Sequence, residues 1–294
     1  MQALFCRPAG PRGPALLLPE VINGKGLYDL PEGLQLNLEH LDLQGVPFTQ
    51  DAVIEGPHPG NDLARALQRL TVNRLVSLRL GWLGEASDTD IVRSNLDDVM
   101  DQVRASAGTL RLLDLAGFWS GNSFGSAGER CLHSLSALRV LCLSNCREPD
   151  LGIGLQRCPT TQLVYLNLRG LSALEDANLA PLLAANPGLR SLNVGCCALL
   201  SDATLQAVAR HCRGLTSLDV CYARGMTAQG VRAVLKYLPL LNEFGCSGFV
   251  GLMDVDISNL VTRLPGLRMI GGWVGAVREL PYRLFGGSGL EQHD

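Results

Sequence analysis

Residues 189–212 read LRSLNVGCCALLSDATLQAVARHC. Leu189, Leu192 and Val194 stand at positions 1, 4 and 6 of this stretch, and two adjacent cysteines, Cys196 and Cys197, stand at positions 8 and 9. In an extended segment, positions 4 and 6 point to the same side. Further on, Leu205, Val208, Ala209 and Cys212 repeat at helical spacing. The stretch therefore reads as a short strand, a turn and a helix. Whether the cysteine pair means metal, redox chemistry, a disulfide or packing depends on whether the frame recurs.

It does recur. Leu38-Leu41-Leu43, Leu75-Leu78-Leu80, Leu110-Leu113-Leu115, Leu138-Leu141-Leu143 and Leu163-Leu166-Leu168 fit it upstream. Leu215-Leu218-Val220, Leu241-Phe244-Cys246 and Leu267-Ile270-Gly272 fit it downstream. The starts are 37, 35, 28, 25, 26, 26, 26 and 26 residues apart, and four identical closing intervals mark a structural period. Position 12 is apolar in the regular turns (Leu174, Leu200, Met226, Leu252), and positions 17, 20 and 21 supply an inward helical stripe. Asp176, Ser201, Thr227 and Asp254 precede that stripe as expected N-caps, and Pro187, Pro239 and Pro265 end it. A helix takes more room than a strand, so the stack bends with its helices outside.

This L-x-x-L-x-L pattern is that of leucine-rich repeats. With Cys146 and Cys197 closing L-x-x-L-x-L-x-x-C, and Ser201, Asp202 and Leu205 opening the helix, residues 38–275 resemble the cysteine-containing subclass. The resemblance implies an α/β fold: a curved horseshoe solenoid with parallel strands on the concave face and helices on the convex face. It implies three parts: an N-terminal cap or extended segment over 1–37, about nine repeats over 38–275, and a C-terminal cap and tail over 276–294. The subclass is best known from F-box proteins, whose repeats hold substrates for a ubiquitin ligase, and it also occurs without an F-box. Leu18-Pro19-Glu20-Val21-Ile22 resembles the start of an F-box, but five prolines and five glycines in residues 1–37 oppose the three helices that module needs.

Within this frame the cysteines have an ordinary reading. Position 9 of successive repeats is Val46, Leu83, Phe118, Cys146, Leu171, Cys197, Ala223, Phe249 and Gly275, so Cys197 is one rung of a buried column whose thiol packs and donates weakly to loop carbonyls. Cys196 falls on the rim, half exposed. There is no C-x-x-C pair, and the five histidines are not at ligand spacing, so neither metal nor cofactor is expected. Ten cysteines in 294 residues suit a reduced intracellular protein.

The early turns are long. Asn61–Leu70 and Thr89–Val103 read as helices, and residues 45–60 and 83–90 as loops outside the regular outline. The acidic group around Asp88 and Asp90 lacks the glycine and terminal Glu of a calcium loop and reads as a solvated helix start. Gly121–Gly128 has no G-K-S/T and reads as a flexible loop.

Positions 3, 5 and 7 face the concave wall. The expected partner-binding residues there are Leu112, Val140, Tyr165, Asn167, Arg169, Ser191, Asn193, Ser217 and Asp219, with Tyr222 at the rim. Tyr165 and Arg169 are expected to stand up from the wall, with Leu112 and Val140 exposed beside them. Aromatic and arginine side chains anchor protein contacts, so the expectation is a non-catalytic scaffold that binds a protein partner on its concave face. The alternatives are a ubiquitin-ligase substrate adaptor and an organelle-targeted assembly factor. A net charge of −3 and a pI near 6.0 give no attraction to nucleic acid, and no apolar run reaches the ~20 residues that span a bilayer. Cytoplasm is the expected compartment, with nucleus or mitochondrion as alternatives: residues 1–19 carry Arg7 and Arg12 without an acid, like a transit peptide, but four prolines interrupt an amphipathic helix. No nucleophile, base and orienter stand at usable spacing, so no enzyme is expected.

Overall fold

The computed structural model describes residues 15–17, 39–42, 74–81, 100–101, 103–117, 125–146, 151–248, 262–264, 266–267 and 269–270. Its backbone is one ten-stranded sheet in sequence order, with every neighbouring pair parallel. The strands are β1 (Ala15–Leu17), β2 (His40–Asp42), β3 (Ser77–Arg79), β4 (Leu112–Asp114), β5 (Val140–Cys142), β6 (Tyr165–Asn167), β7 (Ser191–Asn193), β8 (Ser217–Asp219), β9 (Glu243–Gly245) and β10 (Met269–Ile270). The register is that of the sequence repeat: Leu41, Leu78, Leu113, Leu141, Leu166, Leu192, Leu218 and Phe244 pair in turn. All eight are buried and form the spine of one continuous core. β1 adds a strand within the stretch expected to be a cap, its Leu16 paired with Leu41.

Each turn satisfies its backbone from the next. The position 6 amides of Leu143, Leu168, Val194 and Val220 donate to position 5 carbonyls one repeat on, at 2.8–2.9 Å. The position 8 amides of Asn145, Gly170, Cys196 and Tyr222 donate to position 7 carbonyls one repeat on, at 2.7–2.8 Å. Position 9 then folds back on position 6 of its own turn, as in Cys197 to Val194 at 3.3 Å. This turn forces position 8 into the left-handed region: Gly117, Asn145, Gly170, Cys196, Tyr222 and Gly248 have φ between 58° and 87°. Only glycine adopts that conformation without steric cost.

The return helices are α1 (Gly125–Ser134), α2 (Leu151–Gln156), α3 (Asp176–Ala185), α4 (Asp202–His211) and α5 (Ala228–Leu235). The expected stripe is buried: Leu179, Leu182 and Leu183 in α3, Leu205 and Val208 in α4, Val231, Val234 and Leu235 in α5. Ser201 and Thr227 are N-caps as expected, accepting from the amides of Ala203 and Gly230. Asp176 is not. The N-cap of α3 is Glu175, in a capping box with Asn178, and Asp176 reaches sideways to the following helix. Its carboxylate accepts from the amide and hydroxyl of Ser201 (3.0 and 2.6 Å) and of Thr204 (3.1 and 2.5 Å). Asp202 does the same one turn on, accepting from the amide (2.8 Å) and hydroxyl (2.6 Å) of Thr227.

The expected loop over Gly121–Gly128 is corrected in its second half: α1 begins at Gly125, because burial of Cys131 and Leu132 outweighs the low helix propensity of glycine. Met100 and Val103 of the expected Thr89–Val103 helix are helical and buried. The expected helix at 61–70, the loops at 45–60 and 83–90, Asp254 and the cap at 276–294 lie outside the described residues. So do residues 1–37, apart from β1, on which the F-box and transit-peptide expectations turn. Among the described residues, no helix is long and apolar enough to cross a membrane.

Candidate interaction surface

The position 9 thiols behave as packing groups. Cys146 and Cys197 are buried and donate to the position 6 carbonyls of the preceding turn, Leu115 and Leu168, both at 3.1 Å. Burial pushes the Cys197 thiol up to about 12, so it stays protonated. Cys196, on the rim, is half-buried. The nine described cysteines carry no disulfide, and among the described residues no three His, Cys, Asp or Glu side chains converge on a metal-sized site.

The strand wall carries the expected columns, but it is closed. Leu112 and Val140, expected to be exposed, are 3% and 1% exposed and form with Tyr165 a separate apolar cluster across β4, β5 and β6. Tyr165 and Arg169 do not stand up from the wall; they retain 1% and 7% of their surface. Desolvation, with Cys142 and two aspartates nearby, drives the Tyr165 phenol well above its ordinary range. The Arg169 guanidinium lies across Gly195, where a Cβ would come within 2.8 Å of its Nη1. Strand alternation gives the direction of a side chain; it does not give the room in front of it.

The polar residues of position 5 serve the turn. The side-chain oxygens of Asp114, Asn167, Asn193 and Asp219 accept from the amides of Ala116, Arg169, Gly195 and Cys221, two residues on, at 2.8–3.1 Å. Each is an Asx turn that orients the strand exit. Asn193 also donates from Nδ2 to Asp219 Oδ2 at 3.2 Å, linking two turns. Ser191 and Ser217 are buried in the same wall. Toward the N-terminus the position 5 column becomes charged: Arg79 lies 3.6 Å from Asp42 and beside Asp114. Desolvation holds the Asp114 carboxyl above its ordinary range, against the pull of the Ala116 amide and Arg79.

Tyr222 differs from the other nine expected residues. It is 47% exposed, its φ is +58°, and its ring lies against Gly248, the residue in the same column one turn on.

Ten parallel strands in sequence order, one per repeat, with a helix returning each regular turn, can be set against known proteins. In structure the chain is similar to a chain of the Rad7 and Elc1 complex from yeast: the match has a TM-score of 0.54 at 16% identity and covers 85% of this chain and 66% of that one. The chain has the leucine-rich-repeat fold. An internalin from Listeria monocytogenes matches at a TM-score of 0.47 and 18% identity, over 78% of this chain and 77% of that one. In sequence, the leucine-rich-repeat chain is 29% identical over 116 residues to the BTB/POZ domain-containing protein FBL11 of Arabidopsis thaliana. That match takes in 40% of this chain and 11% of the relative, so the chain spans about a tenth of the relative's length. No family model matches.

Two features of this leucine-rich-repeat chain escape the sequence frame. The left-handed column at position 8 was signalled by Gly117, Gly170 and Gly248, glycines at one register of the period. The aspartate staples between helices were signalled by Asp176 and Asp202, which stand at the same register directly ahead of two helices' apolar stripes.

Proposed function

We propose that this chain is a non-catalytic scaffold that binds a protein partner at the rim of its strand wall, with Tyr222 as the anchor. Tyr222 carries the reading. Four repeats place glycine at its position in the sequence (Gly45, Gly117, Gly170 and Gly248), and a side chain in left-handed backbone costs about 1–2 kcal/mol. Tyr222 bears that cost while leaving 47% of itself in solvent, so stability does not account for it. Backbone strain of this kind concentrates at sites of function, and tyrosine joins a large apolar face to a hydroxyl, the combination that dominates protein contacts. The other nine residues of the expected surface form the wall that holds the rim in place. A structural relative captured with a second protein supports the same class of role.

The test is quantitative affinity purification of the intact chain beside Tyr222→Asn. Asparagine already occupies this column at Asn145 and tolerates left-handed backbone. The substitution should leave the thermal midpoint within a few degrees and deplete specific partners several-fold. An unchanged partner set with an unchanged midpoint would remove Tyr222 from the interface and the reading with it.

A further inference from the structure

The edge where helices end and strands begin carries a second surface, on the side of the solenoid away from Tyr222. Arg210 and Lys236 occupy the same register at the ends of α4 and α5, Arg213 follows α4, and Arg190 precedes β7. All four are exposed, and none enters an ion pair among the described residues. Arg190 is fixed in place: its Nη1 donates to the Gly214 carbonyl at 2.8 Å, and its own carbonyl accepts from the Thr216 hydroxyl at 3.0 Å. The acids of these turns lie elsewhere. Asp202 is at the opposite end of α4, Asp219 is buried in the wall, and Glu243 begins β9 on the wall side.

Helix C-termini attract cations, which accounts for Arg210 and Lys236. It does not account for Tyr237 and Leu240, which are 52% and 54% exposed in the turn after α5. The preceding repeat has His211 and Gly214 at these registers, and the one before it has Ala185 and Gly188. Two large apolar side chains have thus replaced small or polar ones beside four unpaired cations.

We infer that this edge binds an acidic segment of a partner protein, whose carboxylates meet Arg190, Arg210, Arg213 and Lys236 and whose apolar side chain packs between Tyr237 and Leu240. Arginine offers carboxylates paired donors in a fixed fork, and the two apolar residues give the center that cations alone lack. A nucleic-acid backbone would satisfy the cations and leave Leu240 facing phosphates. The inference names the chemistry of a partner at a face separate from Tyr222, and of the proposed function it needs only that the chain binds protein.

The probe is a short fluorescein-labelled peptide alternating glutamate with leucine, titrated by anisotropy against the whole chain. Binding should weaken with rising salt and fall roughly tenfold or more in Arg213→Glu/Lys236→Glu, and again in Tyr237→Ser/Leu240→Ser. All of these positions are exposed, so a melting curve run alongside separates lost binding from lost fold. Equal binding by wild type and both variants overturns the inference. So does tighter binding of a single-stranded oligonucleotide or of phosphatidylserine vesicles than of the peptide. Tyr222→Asn should leave peptide affinity unchanged; an equal loss there would merge the two surfaces and overturn the inference. Intact peptide binding beside a partner set indifferent to Tyr222 would overturn the proposed function alone.

Discussion

Gly230→Ala should destabilise this protein, although glycine-to-alanine changes inside helices ordinarily stabilise by about 1 kcal/mol. Gly230 is the third residue of α5, and its amide donates to the Thr227 hydroxyl at 3.0 Å. A Cβ at this position would lie 2.1 and 2.6 Å from the two carboxylate oxygens of Asp202, far inside contact distance. The Asp202 carboxylate must then swing away and release the amide and hydroxyl of Thr227. Bonds to a charged group contribute about 1.5–3 kcal/mol each when buried; at this exposed site about 1 kcal/mol each is the appropriate scale. The loss of about 2 kcal/mol, less the propensity gain, leaves a net cost near 1 kcal/mol. In an Asp202→Ala background the obstruction is gone, and the same glycine substitution should stabilise by about 1 kcal/mol. The sign reversal is the prediction, with a coupling energy of about 2 kcal/mol from a double-mutant cycle. Urea titration of the four proteins, followed by far-ultraviolet circular dichroism, measures it. Stabilisation by Gly230→Ala with Asp202 intact, or a coupling below about 0.5 kcal/mol, would show that the carboxylate is not held between the helices.

Other perturbations probe the core, wall and caps. Leu192→Ala removes a fully buried rung of the spine and should cost about 2–5 kcal/mol in urea titration. Tyr165→Ala combined with Arg169→Ala should lower the melting temperature markedly, because both side chains are buried in the wall; an unchanged midpoint would place them in solvent. In a timed alkylation read by mass spectrometry at mildly alkaline pH, half-buried Cys196 and Cys246 should react before Cys131, Cys197 and Cys212, whose thiols burial pushes up to about 12, 12 and 11. Burial would raise the Asp176 carboxyl, but the hydroxyls and amides of Ser201 and Thr204 outweigh it and hold the group below its ordinary value of 3.8. A depressed carboxylate stabilises fully above its unfolded value and loses that contribution as pH falls through the folded one. The stability gap between wild type and Asp176→Asn should therefore be constant near neutrality and close below about pH 4.

The spine was legible because its signal is redundant: eight strands place Leu or Phe at position 4, and a buried side chain has no other solution at that spacing. Position 9 was legible for the same reason, and the structure adds only the carbonyls that Cys146 and Cys197 meet. The exposure of the wall was not legible. Alternation sends Tyr165 and Leu112 to the correct face, yet their burial depends on how the side chains of neighbouring strands close over one another, which no local period encodes. Nor does composition separate a ligand-binding Asn193 from one whose oxygen holds the Gly195 amide, because both readings want the same side chain at the same place. The shift of the α3 cap from Asp176 to Glu175 has a similar origin: Glu175 shares the register of the caps Ser201 and Thr227, and Asp176, one residue on, is drawn to the four donors of Ser201 and Thr204 in the next repeat. β1 was missed because Gly13 stands where leucine opens the other repeats, although Leu16 and Leu18 keep the rest of the frame.

These contacts bear on where function resides in such a stack. A repeat of this kind cannot satisfy itself: its position 6 and 8 amides, its position 9 thiol where present, and the aspartate that follows its helix cap all find partners in an adjacent turn. Polar side chains pointing into the wall are therefore drawn into holding the stack, and their number says little about ligands. The informative side chains are those that the stack does not need and physical cost argues against. Tyr222 sits in backbone that favours glycine, and Tyr237 and Leu240 leave half their apolar surface in water, where burial of a comparable side chain would be worth about 1.5–3 kcal/mol. If these costs are met by partners, substitutions at the three positions should leave folding intact or improve it and should weaken binding. Substitutions at Asn167, Asn193 or Asp219 should do the reverse, unfolding first and altering binding only through the fold. Thermal midpoints and partner capture measured on the same variants separate the two groups, and a mixed ordering would mean that wall and rim are not distinct in function.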